Sequence, residues 1–144
     1  MKKVLFDTNI ILDIALQRKP FVENSLKAVH CIGTKIIGYV NVLTLVNTFY
    51  FAKKEIGIEK AREFISDMLT FFEVVNTNKQ ICLSAIQSDF KDFEDAIQEV
   101  SARNSGVDII VTRNSKDFEN SKIQVFEPWQ FLEWINATDS LPFD

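Results

Sequence analysis

Asp7 ends the apolar run Val4–Phe6 and is followed at once by Thr8 and Asn9. Asp92 and Asp95 open the stretch DFEDAIQ (92–98), and Asn114 and Asp117 come directly after DIIVT (108–112). At the first of these places a carboxylate, a hydroxyl and an amide stand where a strand should be running into the core. Polar groups are costly to bury unless something satisfies them, so the interruption needs a reason. Brought together, these oxygens would form the hard, anionic donor set that binds Mg²⁺ or Mn²⁺. Carboxylates held close repel one another, and a divalent cation offsets that repulsion. Each residue also has a plainer use. Asp7 can cap a helix, Asp95 can complement a helix macrodipole, and Asp117 suits a surface turn. Asp13, Asp89, Asp92 and Glu94 are read as solvated or capping, with Asp92 the N-cap of its helix.

These residues need elements to position them. KVLF (3–6) is short and apolar enough for a buried strand, and the pattern turns helical from Thr8 to about Leu16. Apolar residues at 22, 26, 29 and 32 predict a helix closed by Gly33, and KIIGYV (35–40) a second strand. Helices follow over 41–56, with Asn41 as cap and Gly57 as stop, and over 58–72. EVVN (73–76) is a third strand, and another helix starts near Asn78. A helix opening at Asp92 leads into the strand VDIIVT (107–112), a polar turn or short helix (113–120), the strand IQVFEP and the closing helix WQFLEWI (129–135). Strands alternating with helices predict a mainly parallel α/β sheet. In such sheets ligands bind beyond the carboxyl ends of the strands, which is where Asp7, Asn114 and Asp117 fall.

A chain of 144 residues fits one domain able to bury its own core; we divide it into a domain over 1–136 and a tail over 137–144. Cys31 and Cys82 lie in no CxxC arrangement, which excludes a disulfide framework or zinc ribbon and leaves them as small hydrophobes. His30, on a predicted helix, is structural. Asp7, Asn9 and Asp13 break what would otherwise pass for a leader peptide, and no run approaches the ~20 apolar residues of a membrane span. A soluble, cytoplasmic protein is expected. The net charge of −4 argues against salt-driven, nonspecific nucleic-acid binding. It leaves open a nucleic-acid enzyme whose site is acidic because it holds metal ions.

With VLFDTNIILD at the start, DFEDAIQ at 92–98 and DIIVTRNSKDF at 108–118, the chain resembles the PIN domain from residue 3 to about 136. The resemblance implies a three-layer α/β/α sandwich around a mainly parallel sheet. It also implies metal-dependent cleavage of RNA, in many bacterial members as the toxin of a toxin–antitoxin pair. Carried over, Asp7 is the first metal ligand, Asp95 the central acid, and Asn114 and Asp117 the last polar ligands. Asp7, Asp95 and Asp117 are thus the catalytic acids, with Thr8, Asn9 and Thr112 as supporting hydrogen-bonding residues. Where the family places a second acid, on the helix after the second strand, this chain has Asn47. The implied cofactor is Mg²⁺ or Mn²⁺, with Asn47 assisting, and Arg113 and Lys116 are best placed to contact the RNA backbone. Implied partners are an RNA substrate, an antitoxin covering the acidic groove and a second copy in a homodimer, with no membrane.

Two other readings are open. Asn47 allows a catalytically weak or inactive PIN fold that binds RNA or protein. An Asp-nucleophile phosphatase would want a second Asp two residues beyond the first, where this chain has Asn9.

Overall fold

Apolar runs too short for helices make the sheet, and polar caps start the helices around it. The structure, a computed structural model, describes residues 1–139. Its strands are β1 (Lys2–Phe6), β2 (Ile36–Val40), β3 (Phe72–Val74), β4 (Ile109–Val111) and β5 (Gln124–Phe126). They form one sheet in the order β3-β2-β1-β4-β5, and every neighbouring pair is parallel. The helices are α1 (Thr8–Ala15), α2 (Val22–Val29), α3 (Val42–Ile56), α4 (Ile58–Phe71), α5 (Lys79–Ile86), α6 (Phe93–Asn104) and α7 (Pro128–Asp139). A 3₁₀ turn spans Ser115–Phe118.

Strand residues alternate between faces, and the core divides accordingly. Val4, Phe6, Ile109 and Val111 point to one side, where α1, α2, α4 and α7 supply Ile10, Ile11, Ala28, Val29, Met68, Phe131 and Ile135. Leu5 and Ile110 point to the other, against Ala102 of α6 and Phe118 of the 3₁₀ turn. Outside α6, Ile81 and Ala85 of α5 pack on Ala96, Ile97 and Val100. This is the expected α/β/α sandwich.

The helix starts follow their capping residues. Asn41 Oδ1 accepts from Leu43 N at 2.9 Å, Asn78 Oδ1 from Ile81 N at 3.0 Å, and Asp92 Oδ1 from Asp95 N at 3.0 Å. Gly57 ends α3 with φ +87°, a conformation that glycine adopts without a Cβ penalty. Several ends differ from expectation: β3 spans Phe72–Val74 rather than 73–76, and β4 spans Ile109–Val111 rather than 107–112. Helix α2 stops at Val29 rather than near Ile32, because Cys31 N and Ile32 N turn back onto Ala28 O and Val29 O. Helix α7 continues to Asp139, past the expected tail boundary at 137, and residues 140–144 lie outside the described part.

The chain builds outward from β1 through β2 to β3, then returns to lay β4 against the other side of β1. The strand order therefore reverses between β1 and β4, and their carboxyl ends open a crevice there. Asp7 follows β1 and Thr112 follows β4. Asp7 N donates to Val111 O at 3.0 Å, so the two segments are locked side by side.

Candidate active site

Asp7 is 6% exposed and uses both of its oxygens. Oδ1 accepts from Thr8 N at 2.7 Å and from Gln98 Nε2 at 2.8 Å. Oδ2 accepts from Thr112 Oγ1 at 2.7 Å and from Asn9 Nδ2 at 3.2 Å. Asp7 is also the N-cap of α1, so capping and site formation are not rival roles. Burial pushes its carboxyl above the usual carboxylate range, against the pull of the Thr112, Gln98 and Thr8 donors, and the charge of Asp117 pushes the same way.

The other acids gather around it. Asp95 lies in the first turn of α6, where a macrodipole alone would favour ionisation, yet its pKa is pushed up to about 7. Partial burial is the main cause, followed by the charges of Asp7, Asp92, Asp117 and Glu94. Asp117 is exposed in the 3₁₀ turn, with its N–H bonded to Asn114 O at 2.9 Å. Asn114 is exposed at the start of that turn, and its N–H reaches Thr112 Oγ1 at 3.0 Å. Ion pairs among the described residues include Lys27–Glu23, Arg103–Glu99 and Arg113–Asp13. None gives Asp7, Asp95 or Asp117 a counter-charge.

The supporting residues form one network. Asn9 Nδ2 also reaches Thr112 Oγ1 at 3.3 Å, and Asn9 Oδ1 accepts from Arg113 N at 3.2 Å. Thr8 Oγ1 lies 2.9 Å from Thr44 Oγ1 of α3. Asn47 does not stand alone: its Nδ2 donates to Glu94 Oε1 at 2.9 Å. Lys116 lines an open cleft of about 380 Å³ together with Phe90, Lys91, Asp92, Asp95 and Asp117.

Arg113 is oriented differently from the expectation for a nucleic-acid contact. Its Nε and Nη2 donate to Asp13 Oδ2 and Oδ1 at 2.7 and 3.2 Å, and its guanidinium lies 3.9 Å over the Phe21 ring. Asp13 is fully buried rather than solvated. Glu94 is half-buried and bonded rather than solvated, and burial followed by the charges of Asp92 and Asp7 raises its pKa. Gln98, Glu94 and Lys91 are the site residues that sequence reasoning missed. Gln98 carried a usable signal, since it lies three residues after Asp95 and so on the same helical face.

The donors suit a hard divalent cation by type: carboxylate, amide and hydroxyl oxygens without thiolate or imidazole. Gln98 adds a physical sign. Its amide turns Nε2 toward Asp7 and leaves Oε1 buried without a hydrogen-bond partner beside the acids. Among the described residues no three carboxylate, histidine or cysteine side chains enclose an ion by themselves. Amides, waters and substrate oxygens would complete the shell, as they commonly do for Mg²⁺.

Residues 3–116 match the family model described as PIN domain. Over 141 residues the chain is 28% identical to Ribonuclease VapC1 of Aquifex aeolicus (strain VF5), covering 94% of this chain and 97% of that one. The fold is similar to a toxin–antitoxin complex from Klebsiella pneumoniae, with TM-score 0.69, 24% identity, and 88% and 98% of the two chains covered. It is also similar to the sarcin-ricin loop cleaving toxin VapC20 of Mycobacterium tuberculosis, with TM-score 0.61, 13% identity, and 74% and 86% covered. No helix among the described residues is long and apolar enough to cross a membrane.

Proposed function

The chain belongs to the PIN-domain family, and from that premise we propose that it is a metal-dependent endoribonuclease acting as the toxin of a toxin–antitoxin pair. The observation that carries this reading is the Asp7 carboxylate, buried at the β1/β4 crevice, with Asp95 and Asp117 near enough for their charges to be felt and none of the three held in an ion pair among the described residues. A protein gains nothing in stability from such an arrangement, whereas a cation site requires it. The relative named Ribonuclease VapC1 matches along nearly the whole chain, which favours RNA as the substrate.

Asp7, Asp95 and Asp117 would hold Mg²⁺ or Mn²⁺, with the amide oxygen of Asn114 assisting. The chemistry supplied by the bound cation is activation of a water for in-line attack on a phosphodiester and offset of the charge that builds on its oxygens. Thr112, Gln98, Asn9 and Thr8 fix the direction of the Asp7 lone pairs. Asp95, whose carboxyl is pushed up to about 7 by burial and by the neighbouring acids, would hold the cation as the ionised carboxylate. Lys91 and Lys116 flank the acids in the cleft and are placed to hold phosphates on either side of the scissile bond. The lone His30 is exposed at the C-terminal end of α2, and the reaction needs no side-chain nucleophile.

An antitoxin would act by covering this cleft. Exposed Val46 and Tyr50 of α3 and Ile86 of α5 provide apolar surface for that partner or for a second copy. The test is cleavage of labelled single-stranded and structured RNA by purified protein with Mn²⁺, with Mg²⁺ and with EDTA, beside an Asp95→Asn preparation. Cleavage lost with EDTA and with Asp95→Asn is expected. Folded wild-type protein that cleaves nothing would favour the second reading, a PIN fold that binds without cutting, for which Asn47 is the motivating residue.

A further inference from the structure

We propose that Glu94 supplies, from the first turn of α6, the carboxylate that position 47 lacks, so that Asn47 and Glu94 together form one anionic arm of the cation site. This rests on the metal-dependent reading above.

The geometry comes from two helices that are distant in sequence. Asn47 sits near the middle of the first half of α3, and its Nδ2 donates to Glu94 Oε1 at 2.9 Å. An amide turned this way serves the carboxylate as a donor and brings an acid to the place where α3 itself has none. Among the hydrogen bonds of the described residues only Oε1 of Glu94 is engaged, so Oε2 has no hydrogen-bond partner there to compete with a cation.

Helix geometry directs Glu94 inward. Glu94 and Gln98 are four residues apart and Asp95 and Gln98 three, so all three share one face of α6. Gln98 fixes the direction of that face, because its Nε2 bonds Asp7 at 2.8 Å. Capping does not account for Glu94, since Asp92 already caps α6 through Asp95 N. A surface role does not account for it either, since the side chain is half-buried against α3. With Glu94 counted, the site carries four carboxylates: Asp7, Glu94, Asp95 and Asp117.

The experiment is Mn²⁺ titration by calorimetry, checked by the paramagnetic resonance of unbound Mn²⁺, on wild type, Glu94→Gln, Asp95→Asn and the exchange variant Asn47→Glu/Glu94→Asn. Thermal melts confirm that each is folded. Glu94→Gln should weaken Mn²⁺ binding about tenfold or more, and the exchange variant, with the acid and amide swapped between helices, should recover most of that loss. Wild-type affinity in Glu94→Gln overturns the proposal. Loss without recovery in the folded exchange variant overturns it too, because the two positions are then not interchangeable. If the exchange variant does not fold, the Glu94→Gln titration decides alone. Absence of Mn²⁺ binding in wild type overturns the underlying reading along with this one. Binding that disappears in Asp95→Asn and persists in Glu94→Gln overturns only the assignment of Glu94.

Discussion

Replacing Asp95 with Asn should stabilise the cation-free protein while removing its capacity to hold a cation. The Asp95 carboxyl titrates near 7 in the fold against an ordinary value of 3.8. The folded state therefore binds its proton more tightly than the unfolded chain does. Between those two values stability falls as pH rises, and the full penalty is present above 7. Burial and the raised carboxyls of Asp7 and Glu94 act with the same sign. Taken whole, the shift is worth about 4 kcal/mol. Asp95 is only half-buried, so solvent and salt reduce the usable figure to about 1 kcal/mol. For a chain of this length that is a rise of about 3 °C in Tm. Calorimetric melts in EDTA should show this gap at pH 8 and a smaller one at pH 5, where the wild-type carboxyl is already protonated. Excess Mn²⁺ at pH 8 should reverse the order, since a ligand at 100 times its Kd adds about 2.7 kcal/mol to the wild type alone. Mn²⁺ affinity should also rise about tenfold between pH 6 and pH 8, as a group titrating near 7 becomes ionised. An Asp95→Asn protein that melts at or below wild type in EDTA at pH 8 would refute the reasoning, as would a gap independent of pH.

Two further outcomes follow from the cations. Arg113→Ala leaves the fully buried Asp13 without its counter-charge and with only the long Ser25 hydroxyl contact at 3.5 Å, and should cost about 3 kcal/mol by urea denaturation; a loss below about 1 kcal/mol would mean that solvent reaches Asp13 easily. Lys91→Ala/Lys116→Ala should leave Tm within about 2 °C of wild type. Its binding to single-stranded RNA, measured in Ca²⁺ or without metal to prevent cleavage, should fall less steeply with salt, by a slope of about 1.4 for two lost phosphate contacts. An unchanged slope would remove the cleft lysines from the RNA path.

The fold was legible because its signals are local. β1, β2 and β4 carry apolar runs that stop at Asp7, Asn41 and Thr112, and Asn41, Asn78 and Asp92 announce their helices by the side-chain caps they make. The end of α2 was not legible: nothing in VHCIG marks Val29 rather than Ile32 as the last helical residue, and the bonds that decide it form only when the chain turns toward β2.

The site divides along the same line. Asp7 and Asp117 could be located because a polar residue just after a buried strand has few places to go, and Asp95 because it opens a helix leading to that edge. Charged pairs that join distant segments leave no such local signal. Asp13 lies three residues after Ile10 on the buried side of α1, so a solvated role was physically inconsistent with its helical phase. Its counter-ion, Arg113, arrives from beyond β4, and one hundred residues of separation hide such a pair from any window. Glu99 shows the intermediate case. Its bond to Arg103 at i+4 is readable from spacing, but Ser121 Oγ and Lys122 N, which complete it at 2.8 and 2.9 Å, come from another loop. The Asn47–Glu94 bond belongs to this class as well, and so it changes the meaning of position 47. Judged residue by residue, the chain lacks an acid on α3; judged by what the fold brings within 2.9 Å of that amide, the acid is present on α6. An anionic site is set by where carboxylates converge rather than by which helix carries each one, because the Coulomb field that attracts a cation depends on distance and burial alone.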